Sequence, residues 1–220
     1  MGCCSSRNTL SMEDKIIGIQ EKALGVNQKP SQIEMTIKKW IGSEGLTLPR
    51  LKKAAFALNI QIGDYTSPDD PIVLLFNHFK TGDNYNVTEL ITFCVLLTPA
   101  QPDDKALIWF DILDTTLRSH LTYGQIREFL KLLFKFTFKL LPMLASGEGQ
   151  MSLSSESVEI YINTCLKSEE TFLDIFSKKL CPQHTLDKET FVDQLRVYSK
   201  LTYPDGIRQM LRECIKNNSI

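Results

Sequence analysis

The first residues of the chain, MGCCSS, place acylatable groups at fixed positions. Gly2 with Ser6 fits the pattern M-G-x-x-x-[ST], in which a myristoyl group forms an amide with the amine of the glycine. One myristoyl chain binds a membrane only marginally, with an association constant of about 10⁴ M⁻¹, so stable anchoring needs a second signal. The thiols of Cys3 and Cys4 can provide it as thioester acceptors. We expect lipidation at Gly2, Cys3 and Cys4; the alternative is a disordered tail with incidental cysteines.

The other chemically capable residues do not form a catalytic or metal-binding motif. The sequence contains no nucleophile elbow, P-loop, HExxH or paired CxxC pattern. His78, His120 and His184 lie far apart, and Cys181 with His184 supplies only two of the four ligands of a structural zinc site. We therefore expect no enzyme activity, no metal site and no cofactor.

Charge and hydropathy restrict the partners and the location. The chain has 25 basic and 26 acidic residues, a formal net charge of -1, which gives no general attraction to nucleic acid. It has no run of 18 apolar residues that could span a membrane, and its N-terminus lacks the apolar core of a secretory signal. We expect a lipid-anchored, peripheral protein at the cytoplasmic face of a membrane, with its cysteines as thiols.

The elements that must position any site are helices. A pattern recurs of a helix, a polar loop, a β-like stretch of two or three residues, and another helix with apolar residues at i, i+3, i+4 and i+7. The β-like stretches are Gly45-Leu46-Thr47, Asn86-Val87-Thr88, His120-Leu121-Thr122 and Thr185-Leu186-Asp187. No predicted strand is long enough for a large sheet, so the sequence predicts an all-α fold with tiny paired β-bridges.

The domain organisation follows from this pattern. We predict a flexible acylated tail over residues 1–13, an N-terminal lobe over 14–100 and a C-terminal lobe over 101–220. The C-terminal lobe contains an inserted helix and loop over about residues 139–165, because the spacing between its two repeats is longer than in the N-terminal lobe.

Capping signals refine three helix ends. The first helix should end at Gly25, a plausible left-handed cap. Ser31, with Glu34 three residues later, is predicted to start the next helix as a capping box. After the insertion, Ser154 or Ser155 should cap a new helix.

One segment resembles a known family. Residues 86–114, NVTELITFCVLLTPAQPDDKALIWFDILD, are similar to the second exiting helix, linker and third entering helix of four-EF-hand proteins of the neuronal calcium sensor, calcineurin-B and calcineurin-B-like group. The segment ends in F-D-x-x-D at Phe110, Asp111 and Asp114, and the Gly-Cys start resembles acylated members. The resemblance covers about residues 30–200 and implies EF-hand-like helix–loop–helix pairs in two lobes.

The first two predicted loops depart from a calcium-binding pattern. Such a loop supplies oxygens at positions 1, 3, 5, 7, 9 and 12, with glycine at 6 and a bidentate glutamate at 12. In the first loop Lys39 takes position 1 and Arg50 position 12. In the second loop position 1 is His78 or Lys80, and Glu89 reaches position 12 in only one of these registers.

The third loop is the closest to a calcium site and is still incomplete. It has Asp114 at position 1, Thr116 at 3, Arg118 at 5, Ser119 in place of glycine and neutral Gln125 at 12. The fourth, from Lys179 to Thr190, starts with a cation. No loop offers six oxygens, so we predict no calcium binding, and we expect Asp114→Ala to leave stability and partner binding nearly unchanged.

A basic stripe follows the third loop, in the segment REFLKLLFKFTFKLLPML. Arg127, Lys131, Lys135 and Lys139 recur every four residues, and nearly all other residues are Leu or Phe. The segment fits a core helix with one wet edge. It also fits a surface that uses Lys131, Lys135 and Lys139 to face anionic lipid or a partner.

These patterns favour a non-catalytic, lipid-anchored adaptor that binds a partner protein independently of calcium. The partner would be an amphipathic helix in an apolar groove that is permanently open. A weak calcium sensor that uses the third loop is one alternative. The other is a permanent structural subunit of a large membrane-associated assembly, in which neighbours bury the insertion and the C-terminal helix near Ile207–Ile215.

Overall fold

The computed structural model describes residues 24–62, 67, 69–144 and 154–217, and it is mostly helical with a few short strands. This confirms the all-α class. The helices are α1 Pro30–Lys39, α2 Leu48–Ala57, α3 Pro71–Asn77, α4 Val87–Leu97, α5 Pro102–Leu113, α6 Tyr123–Lys135, α7 Leu141–Met143, α8 Ser155–Leu166, α9 Glu169–Leu180, α10 Lys188–Val197 and α11 Pro204–Asn217. A π-helical turn spans Phe136–Leu140 and a 3-10 turn spans Ser199–Thr202. The strands are β1 Lys80–Thr81, β2 Asn84–Tyr85, β3 His120–Thr122 and β4 Thr185–Asp187.

Two of the predicted β-like stretches pair with each other in the C-terminal half. Strand β3 runs antiparallel to β4, and Leu121 lies opposite Leu186. Both leucines are buried, at 0% and 3% exposure. The pair therefore joins two loops by backbone hydrogen bonds and by one apolar contact across the ladder.

The corresponding pair in the N-terminal half lies two residues earlier than predicted. The backbone N–H of Tyr85 donates to the carbonyl of Leu46 at 2.9 Å, and Thr47 forms a β-bridge with Asn84. The prediction of a β-like stretch at Asn86 is wrong, because this residue caps α4: its side chain accepts from the N–H of Glu89 at 3.1 Å. Asparagine is among the best N-cap residues and is depleted in strands, which explains the shift.

The four helices that follow these stretches start in the same way. Thr47, Asn86, Thr122 and Asp187 are their N-caps, and each comes directly after a buried apolar residue of a bridge or strand. The side chains of Asn86, Thr122 and Asp187 accept from the N–H three residues later. The cap thus fixes where each strand ends and each helix begins.

The other capping predictions had mixed outcomes. Helix α1 starts at Pro30, one residue before the predicted cap Ser31, because proline has a helical φ and needs no N–H partner in the first turn. Ser154 caps α8 as predicted and accepts from the N–H of Ser157 at 3.2 Å. Gly25 has φ +59°, as expected for a left-handed cap, but the helix predicted before it lies outside the described residues apart from Leu24.

The two halves of the chain share one hydrophobic core. Phe79 and Phe93 of the N-terminal half lie with ring centroids 5.8 and 5.3 Å from Phe136, which belongs to the π-helical turn after α6. The insertion helix α8 also packs against this turn. The predicted lobe boundaries stay a prediction, whereas the shared core ties the described parts of both lobes together.

The C-terminal helix α11 lies on the same turn and on α6 and α9. Its buried apolar residues are Ile207, Met210, Leu211 and Cys214, which form one face with the spacing i, i+3, i+4 and i+7. The fully buried guanidinium of Arg208 donates to Asp205 at 2.8 Å and to the carbonyl of Thr137 at 3.4 Å. The apolar face of this helix is therefore covered by the chain itself.

Candidate functional site

The third loop is held closed by the carboxylate of Asp114, which is 7% exposed at the end of α5. It accepts the backbone N–H of Arg118 at 3.0 Å and that of Ser119 at 2.8 Å. The hydroxyl of Thr116 lies 3.5 Å from it. The one acidic residue of this loop is thus engaged by the loop's own backbone.

Gln125 closes the other side of the same loop. Its side-chain N–H donates to the carbonyl of Leu113, the last residue of α5, at 3.0 Å. Its side-chain oxygen accepts from the backbone N–H and the hydroxyl of Thr122 at 2.9 and 3.0 Å. One neutral amide therefore links the entering helix to the exiting helix, at the position where a calcium loop carries a glutamate.

The third and fourth loops hold non-glycine residues in left-handed backbone. Ser119 and His184, the sixth residues of their predicted loops, have φ of +60° and +65°, and Leu117 has φ of +53°. Calcium loops use glycine at the sixth position because glycine has no Cβ and adopts a left-handed backbone without a steric penalty. Here the same turn is formed without glycine, and the left-handed backbone of these residues costs conformational free energy.

The first loop carries a cation in place of a carboxylate. The guanidinium of Arg50 lies against Gly42: a Cβ added there would be 1.1 Å from Nη1 of Arg50. A side chain at this position would have to displace the end of the Arg50 side chain. The positive charge of Arg50 within the span of the loop opposes entry of a divalent cation.

In the predicted second loop, one backbone contact favours one of the two registers. Tyr85 pairs with Leu46, the residue at the eighth position of the predicted first loop, which corresponds to the register with His78 at position 1 and Glu89 at position 12. One carboxylate oxygen of Glu89 accepts from Lys135 at 2.9 Å and the other from the side chain of Asn86 at 3.1 Å. Partial burial, together with the ammonium groups of Lys139 and Lys135, lowers the pKa of His78.

The fourth loop has a lysine at its start and a cap at its end. Lys179 lies 5.2 Å from the ring centroid of Phe176. The carboxylate of Asp187 accepts from the backbone N–H of Thr190 at 2.8 Å, and the hydrogen bonds from Thr190 lower the pKa of Asp187. As in the other loops, the polar groups pair within the chain.

The four residues of the predicted basic stripe fall into two groups: two are exposed lysines, and two form ion pairs with other helices. Lys131 and Lys139 are exposed, whereas Lys135 is half-buried in its ion pair with Glu89 on α4. Arg127 pairs with Glu170 at 2.6 Å and with Asp174 at 2.7 Å, both on α9. Most other side chains of α6 and the π-helical turn are buried, which fits the core-helix interpretation of this segment.

Sequence analysis missed a buried lysine. Lys105 on α5 is 0% exposed, and its ammonium donates to the carbonyls of Leu96 at 3.0 Å and Thr202 at 2.7 Å. It lies 4.0 Å from the ring centroid of Tyr203. Burial lowers the pKa of Lys105 to about 7. The signal in the sequence was its spacing from Trp109 and Ile112, which puts it on the buried face of the helix.

Lys105 is a structural junction of three segments. Its two carbonyl partners belong to the C-terminal end of α4 and to the 3-10 turn that precedes α11. The ring of Tyr203 covers the ammonium, and the hydroxyl of Tyr203 donates to the carbonyl of Ala100 in the linker between α4 and α5 at 2.7 Å. The lysine therefore fixes the start of the C-terminal helix against the middle of the chain.

Gly2, Cys3 and Cys4 lie outside the described residues. Within the described ranges, no three histidine, cysteine, aspartate or glutamate side chains come together as a metal site. In the same part of the chain, no helix combines the length and the apolar character needed to cross a bilayer.

Comparison of the chain with protein-family models, with curated proteins and with solved structures found no match.

The geometry of the third loop changes the expected effect of Asp114→Ala. The substitution leaves the N–H groups of Arg118 and Ser119 without their acceptor, so the prediction of unchanged stability is replaced by a loss of about 2 kcal/mol in the free energy of unfolding. Urea denaturation measures it. Asp83→Ala, at an exposed carboxylate in the second loop, is the control and should change stability by less than about 0.5 kcal/mol. Equal effects of the two variants would contradict the structural role of Asp114.

Lys105 makes a specific contribution to the pH dependence of stability. Because its pKa is about 7 when folded and normal when unfolded, the unfolded chain binds more protons above pH 7. The lysine therefore destabilises the folded chain most at and below pH 7, and this penalty is relieved as the pH rises. Lys105→Met should remove a slope of up to about 1.4 kcal/mol per pH unit between about pH 7.5 and 9.5. Parallel slopes of wild type and variant in urea denaturation would show that the lysine titrates normally.

Proposed function

We propose that this chain is a non-catalytic, calcium-independent adaptor built on degenerate EF-hand-like pairs, anchored at the cytoplasmic face of a membrane by N-terminal acylation. The observation that carries the proposal is the state of the four loops. The first and fourth loops have a cation at position 1 or 12, Arg50 and Lys179. In the second and third loops the carboxylates are engaged by other groups: Glu89 pairs with Lys135, and Asp114 accepts from the backbone of Arg118 and Ser119. An ion has no set of oxygens left to bind.

The spacing of the four loops supports the EF-hand-like framework. When the second loop starts at His78, each proposed loop spans twelve residues, has a buried apolar residue at position 8 and an N-cap at position 9. The eighth residues are Leu46, Tyr85, Leu121 and Leu186, and they pair across the loops two by two. A repeated frame of this kind is what a pair of EF-hands requires of its backbone, whether or not the ligands are present.

The membrane part of the proposal rests on the N-terminal sequence. Gly2 and the thiols of Cys3 and Cys4 provide the two lipid signals that stable anchoring needs. The protein partner is proposed to be an amphipathic helix. One helix of the chain itself, α11, shows how such a helix would pack. Helix α11 places four apolar residues at i, i+3, i+4 and i+7 against α6, α9 and the π-helical turn. Helix-in-groove recognition uses the same spacing.

The structure bears on where such a helix could enter. In the N-terminal half, the apolar space lined by Ile37, Leu51, Leu58, Phe76 and Leu90 among others has a cavity volume of only about 10 Å³, room for at most one water molecule. The expected permanently open groove is therefore not formed at this place. We propose instead that the partner helix takes the position of α11. Since α11 is covered by the chain itself, its apolar face gives no reason to prefer the structural-subunit alternative.

Calcium titration of the full chain tests the first half of the proposal. Wild type should show no change in melting temperature or calorimetric heat at millimolar calcium, because its loops lack ligands. A variant with Thr116→Asp, Arg118→Asp, Ser119→Gly and Gln125→Glu restores positions 3, 5, 6 and 12 of the third loop and should bind calcium with a Kd below about 10⁻⁴ M.

Both arms of the calcium experiment can fail separately. Calcium binding by the wild-type chain would instead support the alternative function, a calcium sensor that uses the third loop. If neither protein binds, the third loop does not have the geometry of an EF-hand, and the framework part of the proposal is wrong.

Membrane fractionation of cells tests the anchor. Gly2→Ala should move the chain from the membrane to the soluble fraction, and the pair Cys3→Ser with Cys4→Ser should move most of it, since one myristoyl chain binds only marginally. Ser5→Ala, outside the acylation pattern, is the control and should stay with the membrane. Mass spectrometry of the N-terminal peptide identifies the lipids; an unmodified Gly2 on membrane-bound wild type would overturn the anchor.

A further inference from the structure

We infer that the chain docks on anionic phospholipid through a face formed by α1 and α2, here called the α1–α2 face: Lys39, Trp40, Ile41, Lys52, Lys53 and Phe56. The inference deepens the proposed function, on which it rests, because it names the surface that meets the membrane once the acyl chains have brought the protein there. It differs from the sequence-based prediction, which placed this surface on Lys131, Lys135 and Lys139.

The first observation is exposed apolar surface beside lysines. Phe56 is 88% exposed at the end of α2, and Ile41 is 39% exposed just after α1. Lys53 lies three residues before Phe56 and so on the same side of α2. An exposed phenylalanine has most of its transfer free energy still to gain by entering an apolar phase.

The second observation joins the two helices into one surface. The ammonium of Lys53 on α2 lies 5.5 Å from the ring centroid of Trp40, which follows α1. Trp40 packs against the core with part of its surface and remains partly exposed with the rest. Tryptophan beside lysine at the edge of an apolar patch is the side-chain combination that the membrane–water interface favours.

The third observation is charge complementarity. Between Glu34 and Lys53 the chain has five basic and two acidic residues, a net charge of +3, although the whole chain carries -1. The residues are Glu34, Lys38, Lys39, Glu44, Arg50, Lys52 and Lys53. The cytoplasmic leaflet has a negative surface potential that attracts each nearby lysine or arginine. Positive charge is thus concentrated around the exposed apolar side chains.

The edge of α6 that carries the basic stripe, here called the α6 edge, lacks both the exposed apolar side chains and the surplus of positive charge. Its four basic residues, Arg127, Lys131, Lys135 and Lys139, are matched by four acidic ones in their surroundings: Glu128 on the same helix, Glu89 on Lys135, and Glu170 and Asp174 on Arg127. The wholly exposed members of this edge are charged, and the half-buried Leu132 is its apolar residue. Along the sequence, residues 123–140 also carry a net charge of +3, but Glu89, Glu170 and Asp174 from other helices pair with Lys135 and Arg127 and bring the charge of this edge near zero. In the α1–α2 face the Lys38–Glu34 ion pair is already included in the net charge of +3. The α6 edge should therefore attract an anionic surface less than the α1–α2 face does.

The lipid anchor leaves the orientation of the protein open. Cys4 and Pro30, the first residue of α1, are 26 positions apart in the sequence, so acylation by itself does not specify which side of the protein faces the bilayer. A second contact is therefore needed to fix which side faces the bilayer. The α1–α2 face supplies that contact, close in sequence to the end of the tail.

The test uses the full chain with Gly2→Ala, which removes acylation, and vesicles of phosphatidylcholine with and without phosphatidylserine. The pair Lys39→Glu with Lys53→Glu should lower the partition coefficient on anionic vesicles at least about tenfold, since each lysine near the surface contributes about fivefold. The matched control is Lys131→Glu with Lys139→Glu, the same charge change at two exposed lysines, which should lower it by less than about threefold.

An apolar pair and a fluorescence signal complete the test. Phe56→Ser should weaken binding several-fold, whereas Val197→Ser, at a valine 72% exposed on α10, should not. The chain has two tryptophans, and Trp109 is 0% exposed, so a blue shift on vesicle addition and quenching by brominated lipid report Trp40. Trp40→Phe should abolish both signals.

Three results would overturn the inference while leaving the calcium and acylation tests unaffected. The first is an equal decrease in the partition coefficient for the double lysine variant on the α1–α2 face and the double lysine variant on α6. The second is equal binding to neutral and anionic vesicles. The third is the absence of vesicle binding or of the Trp40 fluorescence change. In each case the proposed adaptor would still be anchored by Gly2, Cys3 and Cys4, but it would not dock through this face.

Discussion

Tight loops between helices turn backbone N–H and carbonyl groups inward, and each of these groups needs a partner. In this chain the partners come from the loops and their flanking helices. Asp114 accepts two N–H groups and Gln125 donates to Leu113, so the third loop is closed without a ligand from outside. The helices before and after the loop are held in place by the same bonds, and everything packed on them depends on this closure.

The closed loops position one continuous core. Pairing of Leu121 with Leu186 sets α6 and α10 relative to each other, and α6 continues into the π-helical turn that reaches Phe79 and Phe93 of the other half. Helix α7 contains a proline, Pro142, which has no N–H for helix bonding and lies next to this irregular turn. Helices α8 and α11 also pack against this turn. The extra length of the C-terminal half is thus used to bury the helix that the sequence shows as almost entirely Leu and Phe.

Charges inside and outside this core are used differently. Lys105 is held by hydrogen bonds to the carbonyls of Leu96 and Thr202 and by the ring of Tyr203, and burial lowers the pKa of its ammonium group. Glu89 and Lys135 link α4 to α6 by an ion pair at the surface. A net charge of +3 between Glu34 and Lys53 lies around Trp40 and Phe56. Local pairing, more than the number of lysines, distinguishes the two basic surfaces.

The sequence by itself determined the helical class, the β-like stretches at 120–122 and 185–187, and a helix cap at Ser154 or Ser155. These are local properties: apolar periodicity, capping preference and residue type at a given spacing can all be read along the chain. Even here Asn86 was assigned to a strand, because its role as a cap became evident only from the pairing of Tyr85 with Leu46.

The tertiary structure decided which of the candidate groups meet. It gave Glu89 to Lys135, placed Arg50 on Gly42, buried Lys105 and turned the face of α11 against the chain itself. It also separated the exposed lysines of α6 from the paired one. None of these outcomes follows from spacing along one helix, since each depends on a residue tens of positions away or on the shape of a neighbouring loop. Long-range contacts of this kind choose among side chains that the sequence presents as equivalent.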